Sequence, residues 1–88
     1  MYAVRVARRA ERGLRRLSQA DPRGYARVVE RIRSLADEPR PPGALKLRGY
    51  DPPAWRLRIG EYRIVYEIRE DEVLIVVVNV APRGEVYR

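Results

Sequence analysis

Fourteen residues in the second half of the chain, WRLRIGEYRIVYEI (55–68), restrict the fold more than any others. Large apolar residues and arginines alternate from Trp55 to Ile59, a glycine interrupts, and the pattern resumes at Tyr62. A period of two marks a strand with one covered face. Gly60-Glu61 has the length and the leading glycine of a two-residue type II′ turn. Such a turn sets the register: Ile59 opposite Tyr62, Arg58 opposite Arg63, Leu57 opposite Ile64, Arg56 opposite Val65 and Trp55 opposite Tyr66. One face then carries Trp55, Leu57, Ile59, Tyr62, Ile64 and Tyr66, which is a core. The other carries Arg56, Arg58 and Arg63. A three-residue turn would scramble this arrangement.

The remaining segments build around that hairpin. Tyr2–Val6 alternates and predicts a first strand. From Ala7 the period becomes helical, with Ala7, Ala10, Leu14 and Leu17 on one stripe. Gly13 weakens this helix by about 1 kcal/mol relative to alanine, unless close packing requires it. Asp21-Pro22 is a helix start, aspartate as cap and proline in the first turn. The second helix presents Tyr25, Val28, Val29, Ile32, Leu35 and Ala36 on one face and ends near Asp37, ahead of Pro39. Two helices joined by about four residues predict an antiparallel hairpin. Pro39, Pro41, Pro42 and Gly43 form a stiff linker. Leu45–Arg48 reads as a short strand, and the acidic turn Glu70-Asp71-Glu72 leads into Val73–Val80, apolar on both faces and therefore central. Pro82 ends that strand. The expected fold is α+β, one domain over residues 1–88: an N-terminal strand and a two-helix hairpin packed on one face of a mostly antiparallel four-stranded sheet.

Composition excludes much of enzymology. Cysteine and histidine are both absent, which removes disulfides, Cys/His zinc sites, Ser-His-Asp triads and Cys-His pairs. No apolar run reaches the roughly 18 residues of a membrane span, and no signal-peptide block follows Met1. The expectation is a cytoplasmic protein without membrane contact. The formal net charge is +7 and suggests an acidic or polyanionic partner. Most of it lies in residues 1–40, with eleven basic against five acidic side chains. All but one of the 19 basic residues are arginine. That skew suits phosphate recognition and equally suits a GC-rich genome or a heat-adapted host.

Arg58 opposite Arg63 is the informative detail. Like charges directly across a strand pair cost an amount within the range of about 0.2–1 kcal/mol for cross-strand pairs. A solvated face with help from Glu67 is the plain explanation. A phosphate held by bidentate, charge-assisted hydrogen bonds is the functional one. If the acidic turn centres on Glu70-Asp71, Tyr62 pairs with Asn79, and the tail emerges at the Gly60 end, where Arg83 joins Arg58 and Arg63.

These features resemble the RelE/ParE superfamily of toxins from bacterial and archaeal toxin–antitoxin pairs. The matching segments are the first strand with its charged helical hairpin, LKLRGY, WRLRIGEYRIVYEI and the ending NVAPRGEVYR. They run in order over nearly the whole chain; Gly60, Tyr62, Arg63, Tyr66 and the terminal EVY are the specific parts. The resemblance, closest to the RelE branch, implies a ribosome-dependent endoribonuclease that cuts mRNA in the decoding site and is silenced by a cognate antitoxin. It places Arg56, Arg58, Arg63, Arg83 and Tyr87 at the family's catalytic positions, with Arg48 and Lys46 as RNA contacts. Two departures stand out. Pro82 occupies a position where many relatives have histidine, and some members continue past the equivalent of Arg88 into a further helix.

In-line attack of a 2′-OH needs alignment, a base, charge stabilisation and protonation of the leaving oxygen. Arginines stabilise charge but are too basic to take the proton. Tyr87 and Glu85 are the local candidates for a base. Positive neighbours favour a phenolate at Tyr87; the same ring could instead stack on a nucleobase. No acidic pair near this face calls for a metal, and no cofactor is implied. Two other readings stay open: a ParE-like inhibitor of DNA gyrase with the same fold, kept open by Pro82 though Arg56, Arg58 and Arg63 on one face favour the nuclease, and a non-catalytic module that binds RNA or protein.

Overall fold

A computed structural model describes residues 1–84. β1 (Ala3–Val6) is followed by α1 (Arg8–Ala20), α2 (Pro22–Ser34), β2 (Leu45–Leu47), β3 (Ala54–Ile59), β4 (Tyr62–Arg69) and β5 (Leu74–Pro82). The strands form one sheet in the order β1-β5-β4-β3-β2, antiparallel except where β1 runs parallel to β5. The α+β class and the helical hairpin are as the sequence predicts. The sheet has five strands, not four. β2 is only three residues long and exists by pairing with Ala54–Arg56; a segment this short has too little pattern of its own to be told from a loop.

Alternation has the predicted consequence on the helix side. Leu57, Ile59, Ile64, Tyr66, Ile68, Ile75, Val77 and Val80 are buried with Ala10, Leu17, Val28, Ile32 and Leu35. α1 lies so close to β5 that a Cβ on Gly13 would collide with the Val80 carbonyl. Close approach is thus why glycine sits in the middle of this helix. The helices are joined by Asp21 alone instead of about four residues; it ends α1 and caps α2, its carboxylate accepting from the Gly24 amide at 3.0 Å. α2 stops at Ser34, earlier than Asp37, because Leu35, Ala36 and Asp37 donate three residues back and tighten the chain into turns. Neither helix is long and apolar enough to cross a membrane.

The β3–β4 hairpin has the predicted register throughout, including Arg58 opposite Arg63. Gly60 has φ +59 and Glu61 does not have a positive φ, as a type II′ turn requires. The β4–β5 register differs. Tyr62 pairs with Pro82, not Asn79, and Asn79 pairs with Val65. Two residues of the slip come from the 3-10 turn Glu70–Glu72 and left-handed Val73 (φ 50), which start the pairing at Arg69 and Leu74. One more comes from an irregularity between Val65 and Tyr66, which accommodates an extra β5 residue. A strand apolar on both faces does not reveal such slips in its composition.

Candidate functional site

The face of the sheet away from the helices carries the arginines. Residues paired across strands share a face, so Arg58 and Arg63 lie in one row with Ala81, and Arg56 lies in the next with Val65, Asn79 and Leu45. Val65 and Ala81 are buried, at 3% and 8% exposure, although neither α1 nor α2 covers this side. Arginine stems on the same face are long enough to cover such positions. Arg58 is exposed, while Arg56 and Arg63 are half-buried. The Nε of Arg56 is inaccessible to solvent and has no hydrogen-bond partner among the described residues. A desolvated guanidinium N–H is costly unless something accepts from it.

The slipped register brings in the tail. The Arg83 amide donates to the Glu61 carbonyl at 2.8 Å, and its guanidinium approaches the Glu61 carboxylate at 3.9 Å. Arg83 therefore stands at the Gly60 end, beside the row of Arg58 and Arg63, as the sequence predicts, though by a different pairing. Asn79 was not singled out from sequence, because only the observed register puts it in the row of Arg56. Tyr87 and Glu85 lie outside the described residues.

The opposite end of the same face is neutralised. Arg69 donates to Glu67 at 2.9 and 3.1 Å and approaches Glu72 at 3.8 Å. The Glu67 hydrogen bond, the largest influence, raises the Arg69 pKa further. The two expected RNA contacts separate. Lys46 pairs with Trp55, and so belongs to the helix side of the sheet, away from the arginine face. Arg48 is exposed in the turn after β2.

One polar link holds the Gly60 end in place. Tyr62 donates to Asp21 at 3.0 Å, tying the hairpin to the helix junction. The Gly24 amide, then Tyr62, hold the Asp21 carboxyl below its ordinary pKa; hydrogen bonding to Asp21 pushes Tyr62 upward. A Cβ on Gly24 would collide with both side chains. The DPRG segment announces the cap; the partner 41 residues away does not show in sequence.

The arrangement offers several guanidinium groups to one side of a rigid sheet, a surface suited to phosphate or carboxylate. Comparison with known proteins gives it a family. A profile of the ParE toxin of type II toxin–antitoxin systems (parDE) matches residues 4–87. Among solved structures, the archaeal RelE–RelB complex from Pyrococcus horikoshii is 28% identical, with TM-score 0.78 over 97% of this chain and 98% of that one. The RelBE2 toxin–antitoxin complex from Mycobacterium tuberculosis is 31% identical, with TM-score 0.77 over 93% and 98%. The isolated Escherichia coli RelE toxin, 19% identical, shares the fold with TM-score 0.77 over 98% and 88%. Curated protein sequences yield no significant match. With its profile match spanning almost every residue and its fold that of RelE, the chain belongs to the ParE toxin family of type II toxin–antitoxin systems.

Proposed function

We propose that this toxin is a metal-independent endoribonuclease that cleaves mRNA in the ribosomal decoding site. The observation that carries this reading is Arg58 directly opposite Arg63 on the open face, with Arg56 in the adjoining row and Arg83 at its end. The 2′-oxygen attacks the adjacent phosphorus, the bond to the 5′-oxygen breaks, and a 2′,3′-cyclic phosphate and a 5′-hydroxyl remain. Arg56, Arg58, Arg63 and Arg83 meet the charge that builds on the non-bridging oxygens. Tyr87, as the phenolate, accepts the 2′-proton, and water protonates the leaving 5′-oxygen. The ribosome supplies much of the alignment by splaying the message. Arg48 contacts RNA beyond the scissile phosphate.

A cognate antitoxin is the proposed regulator, by analogy with the RelB-bound relatives. An antitoxin segment carrying acidic residues over the open face would neutralise the arginines and exclude the message.

Gyrase inhibition is the second reading, supported by the ParE identity of the matching profile and kept open by Pro82, where many relatives have histidine. One experiment separates the two. The chain is expressed beside Arg63→Ala and Tyr87→Phe variants, and translated mRNA and plasmid supercoiling are followed together. Cleaved message with normal supercoiling is expected, weakened in both variants. Intact message with trapped gyrase would sink the nuclease; undiminished cleavage in both variants would refute the assigned site.

A further inference from the structure

Three arginines recur on α2 at four-residue spacing: Arg23, Arg27 and Arg31. Side chains four apart stand above one another, and like charges so placed repel. No acidic residue occupies the first turn of α2. The fold carries this row to the tip of the β3–β4 hairpin. Arg27, Glu30 and Arg31 face Arg58, Ile59 and Gly60 across a groove. The Arg27 guanidinium rests on Gly60, where a Cβ would overlap its Nη2. The outer edge of β3 is open here because β2 pairs only with Ala54–Arg56. Arg58 belongs to both surfaces, opposite Arg63 on the sheet and in the wall of the groove. The arginine face and the α2 row are therefore continuous around the Gly60 turn.

From this continuity we propose that the groove between α2 and the hairpin tip is a second phosphate subsite, where Arg27 and Arg31 hold the RNA backbone adjoining the phosphate on the arginine face. The inference rests on reading that face as an RNA site. The groove suits a polyanionic strand better than an acidic protein. Its lining has no aromatic side chain and one large aliphatic one, Ile59, only 7% exposed, whereas protein interfaces centre on buried aromatic or apolar anchors. Arginines one helical turn apart, about 6 Å in rise, match charges repeated along a backbone, and each guanidinium takes a phosphate bidentately. Among the lining residues Glu30 alone is acidic, against three arginines.

The test uses non-cleavable 2′-O-methyl RNA, a trinucleotide and a dodecamer, with binding followed by fluorescence anisotropy at several salt concentrations. Wild type should bind the dodecamer about tenfold or more tighter than the trinucleotide, through added phosphate contacts. Arg27→Gln/Arg31→Gln should lose that gain and leave trinucleotide affinity unchanged. Its salt slope for the dodecamer should fall by about 1.4, the value for two single-strand phosphate contacts. Arg27→Lys/Arg31→Lys should retain the slope, and Arg8→Gln/Arg12→Gln on α1 should behave as wild type. Circular dichroism checks that each variant is folded. A length gain that survives in the Gln double variant overturns the subsite. So does a wild type that binds both lengths equally, or neither, or one from which polyglutamate of equal charge displaces RNA as well as RNA does. Cleavage of translated mRNA by wild type is measured separately. Cleavage absent with the length gain lost in the Gln variant refutes the nuclease and supports the subsite; cleavage present with the gain retained does the reverse.

Discussion

The two faces of one hairpin differ in what they ask of their residues. On the helix side, Leu57, Ile59, Ile64 and Tyr66 are buried, and the Tyr66 hydroxyl, donating to the Pro39 carbonyl at 2.7 Å, has its pKa pushed up to about 12 by burial. On the open side, the intervening positions place Arg58 against Arg63. The first face lowers the free energy of folding through apolar burial. The second sets two like charges opposite each other and keeps three arginines on two short strands. Within the open face the contrast repeats: Glu67 and Glu72 answer Arg69 at one end, while arginines gather at the Gly60 end. On the proposed reading, the Gly60 end is where an anion would be held.

Substitutions on the two faces should therefore separate activity from stability. Arg63→Ala is expected to lower mRNA cleavage by about 10²–10³-fold, as loss of one transition-state donor does, with unfolding free energy changed by less than about 1 kcal/mol. The opposite outcome, normal cleavage by a destabilised protein, would break the comparison. Ile64→Ala, one residue along but on the covered face, should cost about 2–5 kcal/mol in urea unfolding, with cleavage per folded molecule near wild type. Gly13→Ala should cost about 1–3 kcal/mol by overpacking against the Val80 backbone, despite alanine's better helix propensity; a stabilised variant would show that the α1–β5 contact yields easily. Gly60→Ala sharpens the contrast at the turn. It should destabilise by about 1–2 kcal/mol for a left-handed alanine and displace Arg27, weakening RNA binding beyond its effect on stability.

A pH test probes the link between the two layers. The folded Asp21 carboxyl lies below its ordinary value of 3.8, chiefly through the Gly24 amide and then Tyr62. A lowered folded pKa contributes stability that is fully present above the unfolded pKa and is lost as pH falls through the folded one. Asp21→Asn preserves a capping side chain and removes the charge. Wild type should be the more stable near neutrality, with the gap closing below pH 3.8; a gap that persists there would assign the effect to geometry instead of charge.

Much of the fold was legible because local rules agree with one another. Alternation about Gly60-Glu61 predicted all five cross-strand pairs from Ile59–Tyr62 to Trp55–Tyr66, and Asp21-Pro22 predicted the start of α2. Where sequence reading departed from the structure, the missing information was non-local. The β4–β5 slip depends on a turn conformation and an irregularity that an all-apolar strand conceals. Strand β2 depends on an edge to pair with. Lys46 looked like a companion of the arginines until its pairing with Trp55 turned it to the other face.

The sequence by itself determined the α+β class, the core-facing set and the opposition of Arg58 and Arg63, since period and turn length act over a few residues. Tertiary structure decided how further groups come to this face. Arg83, expected there from sequence, arrives by a different register, Asn79 enters the row of Arg56 through that register, and Arg27 comes beside Arg58 through a glycine that lets a helix lie against the turn. Residues distant in sequence meet only through packing, and packing is settled by the whole chain at once.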